Sequence, residues 1–579
     1  MKITKRFKEI IEIAIMLAPF FLIWNAATWS AGFYHDDAVT STYYGAAKLN
    51  NQNAYSYANQ QLKDMAVYQG RSAPAYNFGI TTLLIFIGEN LTIYRIWHSL
   101  WLFASILTTT LFVVQITKQK TLGFIYFIIF ISLMCVTTYH DSLLSYGVVL
   151  PQLSLFGFLS LSFIYKSLES AVKTRLAYSF LGALSLSISV LTSEFGLTFV
   201  ACAVLLVYLK KEYVADLKWA IPPVMIAVFY VVFTIFLKGP NQYSGTSLGN
   251  LNLSSTFKTF LYQVSGTAPT AFIFSKMGQE LFGANKILSI FFSPSFWITL
   301  VLISPSFYLK TTHIIKKEPQ RKLFLCILGM LLVIIPAGMT SISKKYQEEL
   351  MWGLGYMQTF LQLSGLSFLL LSCYLKTNEV ILSTKLLNTF KLFFSIIFGF
   401  LFAMNGQINR LTVSYLNQIW SEPRDKLAIT LSYLSKGIEP NISILMNRRY
   451  LARWETTAFV YCHTNKRPTI YTIEDLLHKG LECPSWFIDT NYGPRGEFLC
   501  AIIERIEDNS EYVKVFFQEN SAKTISFQPS GKHEISDYQF KDSADDRNMG
   551  NKQREIVFLQ GRKIQVAPER VVFLNIKKI

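Results

Sequence analysis

The chain has 579 residues, 51% of them hydrophobic and 15% aromatic, with only 16% charged, where soluble domains carry about a quarter. A formal charge of +17 invites a nucleic-acid reading, yet its placement excludes one. From Asn405 onward 24 Lys and Arg face 21 Asp and Glu, so +14 belongs to residues 1–404, mostly in short loops between apolar runs.

The N-terminal Met1-Lys-Ile-Thr-Lys-Arg-Phe-Lys leads straight into an apolar run without a small-residue cleavage site, which reads as a signal anchor. Runs long enough to cross as helices lie at about 9–29, 96–116, 122–139, 143–165, 176–193, 195–209, 219–237, 286–308, 323–340, 357–375 and 386–404. Basic residues fill every second loop: Lys118 and Lys120, Lys166 to Arg175, Lys210 and Lys211, Lys310 to Lys322, Lys376 and Lys385. With those loops cytoplasmic, the N-terminus is inside and everything after Asn405 is outside. Residues 79–88 are too short to cross comfortably and read as a partial helix in a long first outer loop, 30–95; if they cross with a partner the count rises from 11 to as many as 13. The expected fold is a polytopic α-helical membrane protein with an extracytoplasmic mixed α/β domain, divided as 1–404 and 405–579. Alternating runs such as Tyr512-Val-Lys-Val-Phe-Phe and Ile556-Val-Phe-Leu predict strands in that tail, with a polar loop at 536–553. Cys135, Cys202, Cys326 and Cys373 lie in apolar runs; Cys462, Cys483 and Cys500 lie in the tail, match no zinc spacing, and allow one disulfide with a thiol left over.

The first span ends in Gly32-Phe33-Tyr34-His35-Asp36-Asp37, and a second corner on the same side carries Tyr139-His140-Asp141. Exposed acids at helix ends are ordinarily solvated and silent. Here acids are scarce, the pair adjoins a spanning helix where pKa values move easily, and a His-Asp theme repeats at one depth. The same face holds Arg71, Arg95, Lys344, Lys345, Glu348 and Glu349. Headgroup snorkelling is the plain reading of the lysines, and a loop ion pair that of the arginines. A basic cluster on an outer leaflet nonetheless runs against the usual charge bias and fits a lipid phosphate. No glycine-rich phosphate loop, H-E-x-x-H or paired C-x-x-C occurs, which argues against nucleotide-driven and zinc chemistry.

This layout resembles the glycosyltransferase C superfamily of polyprenyl-phosphate-sugar-dependent membrane glycosyltransferases, through "YHDD" at 34–37, "GR" at 70–71 and Asp141, in that order and sidedness. Within it, the Asp-Asp…Gly-Arg first loop is similar to that of bacterial O-antigen and serotype-converting enzymes. The chain lacks the Lys-Pro-Pro of aminoarabinose-transferase-like members and the Trp-Trp-Asp of oligosaccharyltransferases. The resemblance implies transfer of a sugar from a polyprenyl-phosphate donor to a cell-surface glycan or lipid acceptor, at the outer face of a bacterial cytoplasmic membrane.

Chemistry agrees with that expectation. A carboxylate takes the acceptor hydroxyl proton, for which Asp36 or Asp37 is the candidate, with Asp141 orienting. Arg71, Arg95, Lys344 and Lys345 are candidates for the leaving phosphate, and His35 and His140 for support. A divalent cation (Mg²⁺ or Mn²⁺) on Asp36, Asp37 and Asp141 is compatible with hard oxygen ligands. The competing readings are a polysaccharide or lipid transporter or flippase, a glycan polymerase or ligase, and a non-catalytic scaffold. Transporters place ionisable residues at the bilayer midplane, often within repeats, and neither feature is seen.

Overall fold

A computed structural model describes residues 2–421 apart from 71–72, 139–140, 142, 146–147, 211–217, 238–251, 312–318 and 382. Beyond 421 it describes Arg424, Asp425, Ala428 and the backbone of one helix and ten strands, with side chains over 457–467.

The first helix, α1 (Lys2–Trp29), is followed by a long loop holding α2 (His35–Thr40), α3 (Tyr43–Leu49), α4 (Ala54–Gln69) and α5 (Pro74–Ile87). The bundle continues through α6 (Leu91–Thr117), α7 (Lys120–Leu133), α8 (Val149–Leu168), α9 (Val172–Thr192), α10 (Leu197–Lys210) and α11 (Ile221–Leu237). After it come α12 (Leu253–Ser265), α13 (Ala271–Phe274), α14 (Lys276–Phe292) and α15 (Pro294–Thr311). The last helices of the bundle are α16 (Pro319–Ser341), α17 (Lys344–Glu349), α18 (Thr359–Val380) and α19 (Thr384–Leu416).

Among the described residues, eight helices are long and apolar enough to cross a membrane, or nine if the pair bent by 58° at 293 counts as one span. All eleven expected spans fall on helices. The two that fail the length requirement are α7 and α10, at 14 residues each. Helix α7 is short because protein, not lipid, surrounds it: Leu122 through Leu133 are all buried. Residues 79–87, expected as a partial helix, form most of α5, which is apolar but only 14 residues long.

The final span runs past the expected end at 404. Helix α19 has 33 residues and closes in a π turn, Asn417–Ser421, so at about 50 Å it exceeds the hydrocarbon thickness. The division at 405 falls inside this helix. The tail has a mixed α/β backbone, beginning with β1 (Asn441–Leu445), α20 (Arg453–Thr464) and β2 (Arg467–Tyr471), the two strands parallel. The remaining strands are β3 (Trp486–Tyr492), β4 (Phe498–Arg505), β5 (Ser510–Phe517), β6 (Lys523–Ser526), β7 (His533–Asp542), β8 (Phe558–Leu559), β9 (Lys563–Val566) and β10 (Arg570–Lys578). One sheet has the order β2-β1-β3-β4-β5-β10-β7 and a smaller one the order β6-β9-β8. Both runs read as strands lie on or overlap strands, but the loop expected at 536–553 begins inside β7; residues 543–553 lie outside the described residues.

Helices α16 and α18 cross at a pair of glycines. A Cβ on Gly329 would meet the Gly365 carbonyl oxygen at 2.7 Å, and one on Gly365 would meet that of Gly329 at 2.6 Å. Small residues let helix backbones approach this closely. Gly365→Val is expected to lower the thermal unfolding midpoint in detergent, at a cost of about 1–3 kcal/mol or more. Gly338→Ala on the same α16, where nothing lies within 4 Å, should leave the midpoint unchanged or raised.

Candidate active site

Where α1 ends, the chain turns through a corner that two other parts of the molecule hold, the start of α6 and the π turn after α19. Arg95, in the second turn of α6 and buried, donates from Nε to the Ala31 carbonyl at 2.8 Å and from Nη2 to the Gly32 carbonyl. Its Nη1 is buried and has no hydrogen-bond partner among the described residues. From the π turn, Asn417 accepts at Oδ1 from the Gly32 amide (3.0 Å) and the Tyr34 hydroxyl (2.5 Å), and donates to the Ser30 carbonyl (2.9 Å). A Cβ at Gly32 would sit 1.9 Å from Ser421 Oγ, so the corner requires glycine there.

The next residue to be constrained is His35, which starts α2 at φ +45°. A left-handed residue other than glycine costs about 1–2 kcal/mol. Two contacts hold it: Nε2 lies 3.3 Å from the Thr138 carbonyl, to which it donates, and the ring lies 4.8 Å from that of Trp420. Burial pulls the His35 pKa below its ordinary value, against the Thr138 carbonyl and Asp36, so the ring is neutral at pH 7. This hydrogen bond brings the two acidic corners together, since Thr138 belongs to the second.

The adjacent acids differ. Asp36 is exposed, whereas Asp37 is buried and accepts the Tyr94 hydroxyl at Oδ2, 2.5 Å away. In the second corner Asp141 is buried too. Its Oδ2 accepts the Thr137 amide (2.8 Å), and Oδ1 accepts the amides of Leu143 (2.8 Å) and Leu144 (2.9 Å), which folds the loop around the carboxyl group. The stretch leading into it, just past α7, is pinned by α19: Asn405 donates to the Ser132 carbonyl (2.7 Å), and Asn409 accepts the Val136 amide (2.7 Å).

Of the remaining expected residues, Arg71 and His140 lie outside the described residues. Lys344, Lys345, Glu348 and Glu349 form α17, whose helix neighbours are α12 and α16. Lys345 lies 3.9 Å from Glu349 and 5.8 Å from the centre of the Tyr356 ring. Gln362, one turn after Gln358, takes part in helix–helix bonding, accepting from Gln263 (2.7 Å) and donating to the Val333 carbonyl (3.0 Å). Among the described residues no three His, Cys, Asp or Glu gather as a metal site, and the carboxyl groups of Asp37 and Asp141 face a tyrosine and backbone amides. A divalent cation on Asp36, Asp37 and Asp141 does not fit this arrangement. Cys462 is a free thiol.

A second cluster escaped sequence reasoning. Glu89, between α5 and α6, lies 2.6 Å from Arg424 Nη2 through Oε1 and 2.6 Å from His463 Nε2 through Oε2. Burial pulls the Glu89 pKa upward, but Arg424 and His463 outweigh it and leave the net shift downward. These partners lie 335 and 374 residues away in sequence, so no local motif announces them.

No family model and no curated protein matches the chain. Among solved structures it is similar to ArnT from Cupriavidus metallidurans bound to undecaprenyl phosphate, at 10% identity and a TM-score of 0.41, covering 80% of this chain and 87% of that one. The apo state of the same protein matches at 10% identity and a TM-score of 0.40, covering 81% and 86%.

Asp141 offers a test by titration. Burial raises its pKa from 3.8 to about 6, against the amides of Thr137, Leu143 and Leu144. Between those values the folded chain binds a proton that the unfolded chain does not, so this group adds stability as pH falls from about 6 towards 4 and removes it as pH rises. Thermal unfolding across that window should show this slope in the wild type and lose it in Asp141→Asn, whatever the offset between the two. Equal slopes would contradict the assignment.

Proposed function

We propose that the chain is a membrane glycosyltransferase of the glycosyltransferase C type. It takes a sugar from a polyprenyl-phosphate donor and passes it to a cell-surface glycan or lipid, at the periplasmic face of a bacterial inner membrane. In this reading the N-terminus is cytoplasmic and the tail after 421 is periplasmic, where it meets the acceptor. The supporting observation is the division of labour between two adjacent acids at the mouth of a spanning helix. Asp37 is tied down by Tyr94 and Asp36 is exposed beside a second buried acidic corner.

Asp36 acts as the base. The acceptor hydroxyl gives its proton to the Asp36 carboxylate as its oxygen bonds to the anomeric carbon, and the carbon–oxygen bond to the phosphate breaks with its electrons on the phosphate oxygen. Asp37 and Asp141 position the corners. Neutral His35 sets the turn that presents Asp36. Cations meet the charge developing on the phosphate: Arg71, Lys344 and Lys345 remain candidates, and Arg95 adds Nη1 while its other nitrogens hold the corner. The O-antigen is the preferred acceptor class, from the likeness of the Asp-Asp…Gly-Arg loop.

Asp36→Asn is expected to lower transfer from polyprenyl-phosphate sugars in proteoliposomes by about 10²–10⁴-fold. Asp37→Asn can still accept the Tyr94 hydroxyl and should retain more activity. Wild-type rates in Asp36→Asn would remove it as the base. Glycans from cells lacking the gene separate a modifier from a polymerase: a missing side-chain sugar supports the proposal, and shortened chains support the alternative.

A further inference from the structure

The cluster around Glu89 ties together four segments. Glu89 itself follows Gly88, which ends α5 at φ +59°. Ser41 closes α2, the helix that opens with His35, Asp36 and Asp37; its Oγ accepts from Arg424 Nη2 at 2.8 Å and lies 3.2 Å from Glu89 Oε1. Arg424 comes from just beyond the π turn, and His463 from the last turn of α20 in the C-terminal part. The Phe459 ring lies 4.4 Å from the Arg424 guanidinium and 4.5 Å from the His463 ring, so one aromatic group braces both side chains. Asp425, exposed, is the further acid next to the cluster.

Helix α20 meets α3 at close range. A Cβ on Gly45 would lie 2.1 Å from the Ala458 carbonyl oxygen, and Cys462 Sγ lies 3.9 Å from the Thr42 carbonyl. Among the described side chains of α20, the buried apolar ones are Ala458, Phe459 and Val460. Apolar contact of that kind has little directional preference, whereas a buried carboxylate held between a guanidinium and an imidazole is satisfied in one arrangement only. Removing the Glu89 charge leaves the buried Arg424 guanidinium without compensation, which favours separation of the segments.

We propose that Glu89, Arg424 and His463 form a latch that docks the C-terminal part of the chain onto α2, so that Asp36 keeps its place only while α20 is docked. All three are positioning residues; none touches the reacting atoms. The catalytic consequence rests on Asp36 being the base. The latch itself does not.

Cys462 provides a reporter that needs no activity. Burial pushes its thiol up to about 12, and the half-buried side chain packs against Thr42 and Gly45 at the start of α3, so the docked thiol reacts slowly at neutral pH. The experiment uses the full chain in proteoliposomes with the other six of its seven cysteines replaced by serine. Maleimide labelling of Cys462 and transfer kinetics are measured side by side. Glu89→Gln is expected to speed labelling by about tenfold or more and to lower kcat about as much, with donor KM little changed. His463→Gln keeps a neutral donor at the rim and should shift both readouts the same way by less. Unchanged labelling in both variants overturns the latch. Faster labelling with full transfer overturns the coupling to Asp36. A parent chain that transfers no sugar defeats the functional reading instead, and labelling alone then decides the latch.

Discussion

Backbone amide and carbonyl groups at membrane depth must find partners within the protein, because hydrocarbon offers none. Helix α7 makes this constraint visible. It stops after 14 residues, about 21 Å of rise, and the chain continues without helical structure at 134–137. Asn405 and Asn409 of α19, one turn apart, supply the missing partners to Ser132 and Val136. Asn417, at the end of the same helix, does the same for Ser30 and Gly32 on the far corner. One over-long helix therefore satisfies two breaks in regular structure and thereby fixes where both acidic corners lie. An α19 ending at the membrane surface would leave both corners without these partners.

That arrangement also explains the strain at His35. A left-handed histidine persists only where its surroundings over-determine it, and here Trp420 and the Thr138 carbonyl come from the two elements that α19 organises. Gly32 shows the same dependence from the steric side, since Ser421 occupies the space that any side chain would need. The corner is shaped by residues almost four hundred positions away, such as Asn417 for Gly32.

This separation determines how much could be read from the sequence. The spans were legible because apolar length and alternating loop charge are local signals, and the acidic corners were legible because acids are scarce in the membrane half. The end of α19 was not. Asn405, Gln407, Asn409 and Arg410 look like the polar start of a new domain, although the apolar positions Ile408, Leu411, Val413 and Leu416 keep helical spacing. The asparagines that finish the corners thus lie past the end at 404 that apolar length predicts, on the continuation of the same helix and its closing turn. Glu89, Arg424 and His463 carried no signal at all, being three common residues whose meaning lies only in their convergence. Asn90 and Asn252 use their side-chain oxygens to cap α6 and α12.

The segment from Glu89 to Arg95 then emerges as the junction of the molecule. Asn90 caps α6 by accepting the Ile93 amide, which fixes where the helix begins. From that fixed start, Tyr94 reaches Asp37 and Arg95 reaches the carbonyls of Ala31 and Gly32, so adjacent side chains hold the acid and the turn before it. Five residues before Tyr94, Glu89 is held by Arg424 and His463. Successive residues at the start of α2 point about 100° apart, which is why anchoring Asp37 inward leaves Asp36 outward. Seven consecutive residues connect the exit of α1, the acidic helix and the C-terminal part. A rotation of this turn would move Asp37 and the Gly32 corner together, and the orientation of Asp36 would follow.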